Sequence, residues 1–130
     1  MNLDSISFFR LASQRMHWLG ARQQVISENV ANADTPGYKA REVGSFADLA
    51  SAQRSTSIAT TNPQHITSGD ASGVRVERDR ESWGTSASGN TVVLEQQTIK
   101  ANETSESYRL AAQLYRKGHD LLSLAVTGGR

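Results

Sequence analysis

Asn29-Val30-Ala31-Asn32-Ala33-Asp34-Thr35-Pro36-Gly37-Tyr38 closes a long amphipathic segment and then stops it. Pro36 lacks an N–H and biases Thr35 away from the helical region, while Gly37 reaches positive φ without steric penalty. Thr35, Pro36, Gly37 and Tyr38 therefore read as a turn, with Tyr38 placed to staple it against the helix. Asn29 and Asn32 lie three apart and share a face of that helix. Two amides there are poor filler for a simple apolar core. They suit a surface that hydrogen-bonds a neighbouring chain in fixed register. For Asn32, a local cap of the helix end is an alternative account.

Working back from the turn, residues 3–33 read as one helix. Phe9, Ala12, Met16, Leu19, Ile26, Val30 and Ala33 recur in steps of three and four, with Gln23 the one polar entry. This is a coiled-coil seam pattern. Thirty helical residues span roughly 45 Å, too long for a small globule to surround. Length and repeat favour a pairing helix over an ordinary core helix.

Working forward, residues 91–126 read as a second long helix, with Asn90 as its N-cap and Gly128-Gly129 as its stop. Its apolar stripe is Val92, Ile99, Leu110, Leu114, Leu121 and Leu124, interrupted by Gln96, Glu103, Glu106 and Lys117. Folded back antiparallel on the first helix, it brings Lys100 near Glu28 and Glu106 near Arg22. It also sets Lys117 near Arg10, a like-charge approach. Exposed pairs of this kind bias orientation without driving it.

The segment between differs in kind: 19 of residues 40–89 are Ser, Thr or Gly. Its large apolar residues are Val43, Phe46, Leu49, Ile58, Ile66, Val74, Val76 and Trp83, too few for an independent core. Ser45–Ser51 reads as a short helix, and the alternating Val74-Arg75-Val76-Glu77 as a strand. The remainder reads as a mobile loop that orders on a partner. Trp18 suits either a core edge or an anchor against a neighbouring subunit. Trp83, amid polar residues, is expected to dock onto the helices or a neighbour. The expected architecture is all-α at its ends: long antiparallel N- and C-terminal helices joined by a largely irregular middle with a short strand or hairpin. Residues 1–39, 40–89 and 90–130 form three segments, and the two ends make one axial domain.

Composition removes several functions. The chain has 130 residues, 37% apolar and only 6% aromatic, so it is at most one domain with a thin core. A net charge of +1 gives no reason to expect nucleic acid or an anionic membrane as partner. There is no cysteine, hence no disulfide or thiolate chemistry. No apolar run reaches about 18 residues, so no transmembrane helix is expected. Met1-Asn2-Leu3-Asp4-Ser5-Ile6 lacks the basic start of a cleavable secretory signal. The glycines form no phosphate-binding loop. His17, His65 and His119 lie far apart, and Asp34, Asp48, Asp70 and Asp79 show no paired-carboxylate spacing. No catalytic, cofactor or metal residue is assigned, and no small-molecule substrate is expected.

The Asn29–Tyr38 stretch resembles the N-terminal signature of flagellar axial proteins, the rod, hook and hook-associated subunits. Ser88-Gly89-Asn90-Thr91-Val92-Val93-Leu94-Glu95 resembles the segment that opens the C-terminal helix of proximal rod proteins, and the short middle fits a rod subunit better than a hook subunit. The resemblance implies a structural subunit of the proximal rod of the bacterial flagellar basal body, which crosses the periplasm and transmits torque. It implies type III export without a cleaved signal peptide. It also implies contacts with other rod subunits, the basal-body membrane ring, a rod-base adaptor protein and the export apparatus. On this reading Phe9, Met16, Leu19, Ile26, Asn29, Val30, Asn32, Leu110, Leu114, Leu121 and Leu124 pack between subunits. A different class of function also fits the helical pattern: a soluble helical-hairpin adaptor or chaperone that binds one partner along its groove.

Overall fold

The three-four spacing of the terminal segments builds two long helices, and the polar middle folds back onto them. The computed structural model describes residues 7–55 and 73–128. In chain order these form α1 (Ser7–Ala31), β1 (Arg41–Val43), α2 (Phe46–Ser55), β2 (Val76–Arg78) and α3 (Leu94–Thr127). The expected short helix and strand of the middle are present as α2 and β2. The N-terminal segment 1–6, together with Ile58, His65, Ile66, Asp70 and Gly129, lies outside the described residues.

α1 and α3 run antiparallel. Asn29, near the end of α1, meets Gln97 near the start of α3, and the Phe9 and Tyr115 rings meet edge to face at 5.2 Å. α1 turns Phe9, Leu19, Ile26 and Asn29 inward, and α3 answers with Gln97, Thr104 and Ala111. These three, followed by Gly118, recur at every seventh residue. Small side chains let the helices approach closely. A Cβ on Gly118 would lie 2.7 Å from Cε1 of Phe8 and 3.3 Å from the Phe9 ring. The stripe read along α3 therefore does not face α1. Leu110, Leu114, Leu121 and Leu124 are 58%, 50%, 56% and 65% exposed.

α3 also starts later than residue 91. Val93 is extended (φ −110°, ψ 112°) and makes no side-chain cap. Asn90 is consequently not the N-cap. Its amide faces the turn after α1 instead, where it meets three backbone carbonyls.

β1 and β2 pair antiparallel with Arg41 opposite Arg78, Glu42 opposite Glu77 and Val43 opposite Val76. Two like-charge pairs out of three oppose the ribbon, and a two-stranded ribbon is marginal in any case. It is held from outside. Trp18, Leu19, Val25 and Val43 form a buried cluster with Phe46, Leu49 and Val74 packed against it. Trp18 Nε1 donates to the Gly44 carbonyl at 2.7 Å, and its ring meets Phe46 at 6.0 Å. Trp18 is thus a core edge that seats the middle segment on α1. Trp83 is different. It is 66% exposed, so it does not dock onto the helices; its backbone N–H donates to Gln96 Oε1 at 3.3 Å.

Candidate assembly surface

Three features set the shape of the surface: the turn after α1, an ion-pair latch beneath the ribbon, and the outer face of α3. In the turn, Gly37 has φ +73° and donates its N–H to the Ser88 carbonyl at 2.9 Å. Gly89 has φ +81°, and a Cβ there would lie 3.7 Å from Gly37 Cα. The two glycines let the strands entering and leaving the middle segment touch backbone to backbone. Beside them, Asn90 Nδ2 donates to the carbonyls of Asn32, Ala33 and Thr35 at 2.8, 2.9 and 2.8 Å. These are carbonyls of the turn that follows α1. One buried amide therefore ties off the first helix from the doorstep of the last.

Asn29 uses its capacity inside the chain. Nδ2 donates to the Arg41 carbonyl at 2.8 Å and to Gln97 Oε1 at 3.0 Å. Oδ1 accepts from the Arg41 N–H at 2.9 Å and from the Tyr38 hydroxyl at 3.4 Å. The expectation that Asn29 hydrogen-bonds a neighbouring chain is corrected: β1 and α3 present the partners first. Asn32 is local. Its amide donates to the Glu28 carbonyl at 2.8 Å, one helical turn back, and its carbonyl oxygen accepts from Thr35 Oγ1 at 3.2 Å. Tyr38 does staple the turn, through its bond to Asn29.

Under the ribbon, Lys100 Nζ lies 2.7 Å from Asp79 Oδ2 and 3.0 Å from Glu42 Oε2, and Arg22 Nε lies 3.1 Å from Glu42 Oε1. Glu28 pairs with Arg41 at 3.6 Å. The expected Glu28–Lys100 and Arg22–Glu106 pairs are replaced because the ribbon brings its own carboxylates closer. Burial alone would raise the pKa of Glu42, but hydrogen bonds from Arg22 and Lys100 outweigh it and hold the carboxyl below its ordinary value. Burial opposes the charge on Lys100 as well, and Asp79 and Glu42 overcome it, raising its pKa.

The outer face of α3 carries Ile99, Glu103, Glu106, Leu110, Leu114, Lys117, Leu121 and Leu124 in steps of three and four. Flanking the buried Gln97–Thr104–Ala111 face, this is a second seam with no covering element among the described residues. Phe8, Leu11 and Val30 of α1 are also exposed, at 44%, 49% and 47%. Of the residues expected to pack between subunits, Phe9, Leu19, Ile26 and Asn29 are buried within the chain. Met16 and Asn32 are half-buried. Val30, Leu110, Leu114, Leu121 and Leu124 are left open. Gln97, Gly118, the pairing of Lys100 with Asp79 and Glu42, and the tying role of Asn90 escaped the sequence reading. The seven-residue recurrence of Gln97, Thr104, Ala111 and Gly118 was the available signal.

Among the described residues no helix is long and apolar enough to cross a membrane. Residues 9–39 match the family described as flagella basal body rod protein. The chain is 33% identical over 129 residues to flagellar basal body rod protein FlgB of Agrobacterium fabrum, covering 96% of each chain. It is 32% identical over 107 residues to FlgB of Cereibacter sphaeroides, covering 82% of this chain and 84% of the relative. It is 35% identical over 110 residues to FlgB of Aeromonas hydrophila, covering 82% and 83%.

Proposed function

Since the chain belongs to the flagellar basal body rod protein family and is a structural, non-catalytic subunit of the rod, we infer how it assembles: through the outer seam of α3, together with the exposed edge of α1. The observation that carries this reading is the stripe of Leu110, Leu114, Leu121 and Leu124, each at least half exposed on a helix whose Gln97–Thr104–Ala111 face is already buried. Burying a leucine side chain stabilises by about 1.5–3 kcal/mol, so four in one stripe form a strong adhesive surface. Phe9, Leu19, Ile26 and Asn29 support that surface from within by holding α1 and α3 in register. Heterologous contacts that do not close build such a helical assembly.

Torque is then carried by packed side chains, which leave no voids to shear into. The proposed position is the proximal rod within the periplasm, reached by the flagellar export route without signal cleavage. The proposed partners are neighbouring rod subunits, the basal-body membrane ring, the rod-base adaptor and the export apparatus. The resemblance of the turn and of Ser88–Glu95 supports these assignments, and family membership displaces the adaptor or chaperone reading.

Photo-crosslinking tests the surface. A photoreactive residue at position 114 or 121 is expected to capture a rod subunit in purified basal bodies. Capture only from position 9 or 26, with none from 114 or 121, would contradict the proposal.

A further inference from the structure

Trp83 is a large aromatic side chain, 66% exposed, on a loop that is held in place. The buried Gln96 grips the backbone beside it. Gln96 Oε1 accepts from the Trp83 N–H at 3.3 Å, and Nε2 donates to the Glu81 carbonyl at 2.7 Å. Ser82 Oγ lies 2.5 Å from the Thr91 carbonyl and 3.0 Å from that of Gly84. An ordered loop loses little entropy when its tip is bound, and tryptophan is prominent among residues that anchor interfaces.

A socket large enough for an indole lies on the other side of the helix pair. It is an open groove of 530 Å³ between α1 and α3, floored by the buried Leu19 and Thr104. Ser27 and Ser105 keep its walls low, and a Cβ on Gly20 would meet nothing within 4 Å. Tyr108, 46% exposed, offers a ring for stacking, and Gln23 an amide oxygen for the indole N–H. Ser27 follows Trp18 by nine residues, and Ser105 follows Gln96 by nine. Nine residues make about two and a half helical turns, so the groove faces away from the side on which Trp18 and Gln96 hold the middle segment. Trp83 therefore cannot enter the groove of its own chain, but it can enter that of another.

We propose that, in the assembled rod, Trp83 of one copy seats in the α1–α3 groove of a neighbouring copy. This rests on the rod reading and adds a second contact to the α3 seam. Glu81 precedes Trp83 by two residues and Arg109 lines the groove, so opposite charges accompany the indole into its seat. Knob and socket lie on opposite sides of one chain. The contact is therefore heterologous and can repeat without closing, as a polar rod requires. Because α1 and α3 each supply part of its lining, the socket exists only where the two helices are packed together.

A photoreactive residue at position 105 tests the seat with Trp83 intact. In purified basal bodies the expected product is a covalent dimer of this chain whose crosslinked peptide contains Trp83. Per incorporated subunit, Trp83→Ala should cut that product about tenfold, and Trp83→Phe should keep most of it. Arg109→Glu should weaken it, and Glu81→Arg/Arg109→Glu should restore it. The identity of the crosslinked peptide decides the matter even if Trp83→Ala is not incorporated. A crosslink within one chain, capture of another protein in place of this one, no dimer, or an undiminished dimer with Trp83→Ala would overturn the proposal. Capture from positions 114 and 121 reads the α3 seam separately, so a failed groove contact leaves the rod reading standing.

Discussion

Asn29 Nδ2 donates to Gln97 Oε1 at 3.0 Å, across 68 residues of sequence, and both side chains are 1% exposed. The bond joins the end of the first helix to the start of the last at a position where most helix pairs would use leucine. It holds α1, β1 and α3 together, because the same Asn29 side chain also brackets the Arg41 peptide.

Asn29→Leu is accordingly expected to destabilise the chain. The leucine gains at most about 0.5 kcal/mol in helix propensity. It leaves the Arg41 N–H, the Arg41 carbonyl and Gln97 without their partner, at about 1–3 kcal/mol. Urea unfolding followed by circular dichroism should show a lower midpoint for Asn29→Leu. Asn32→Ala, which loses only local bonds, should change stability by under about 1 kcal/mol.

The ion-pair latch predicts a pH window. Glu42 titrates below its ordinary value of 4.5 in the folded chain, so its contribution is present above that value and is lost as pH falls through the folded pKa. Lys100 titrates above its ordinary 10.5, so its contribution is present below that value and is lost as pH rises through the folded pKa. Stability should be flat between about pH 5 and 10 and fall on both sides. Lys100→Met strands the buried Asp79 carboxylate and leaves Glu42 to Arg22 alone, and should cost about 3 kcal/mol at pH 7. Amide exchange across residues 41–43 and 76–78 reads the release of the ribbon directly.

At Gly118, two effects of similar size compete. Alanine gains up to about 1 kcal/mol in helix propensity, but its Cβ would lie 2.7 Å from Phe8 Cε1. Phe8 is half exposed and can swing aside, so Gly118→Ala should be nearly neutral. Gly118→Leu must displace Phe9 as well and should cost about 1–3 kcal/mol. Thermal melts of both variants give the comparison.

Gly37, at φ +73°, predicts a purely backbone effect. Gly37→Val forces a β-branched residue into the left-handed region at about 1–2 kcal/mol or more, although nothing lies within 4 Å of its Cβ. Gly37→Ala should fall between valine and the parent in an unfolding series.

The two long helices, the turn at Thr35–Tyr38 and the short α2 and β2 were legible because spacing and breakers are local signals. The side of α3 that meets α1 was not. Its leucine stripe reads as packing between subunits, which leaves the face toward α1 unassigned; burial there went to Gln97, Thr104, Ala111 and Gly118, whose small or polar side chains allow closer approach. The destination of Asn29 was hidden for a related reason. An amide on a helix face announces a hydrogen bond, but Gln97 and the Arg41 peptide reach it only through the fold. For Trp83 the choice between the helices and a neighbour stayed open in the sequence, because hydrophobicity alone does not say whether a flanking loop folds inward. Exposure of the outer seam could not be read from sequence at all, since an apolar stripe looks the same whether its partner is the same chain or the next one.

The assembly claim is tested most directly by Leu114→Asp and Leu121→Asp. Both leucines are at least half exposed, so in the isolated chain each substitution should change stability by no more than about 0.5 kcal/mol. In an assembled contact each would bury an unpaired charge, at several kcal/mol. The measurement is the amount of this subunit in basal bodies purified from cells expressing each variant. The account predicts normal cellular levels of the chain, little or none of it in basal bodies, and loss of motility. Normal incorporation of both variants would contradict it.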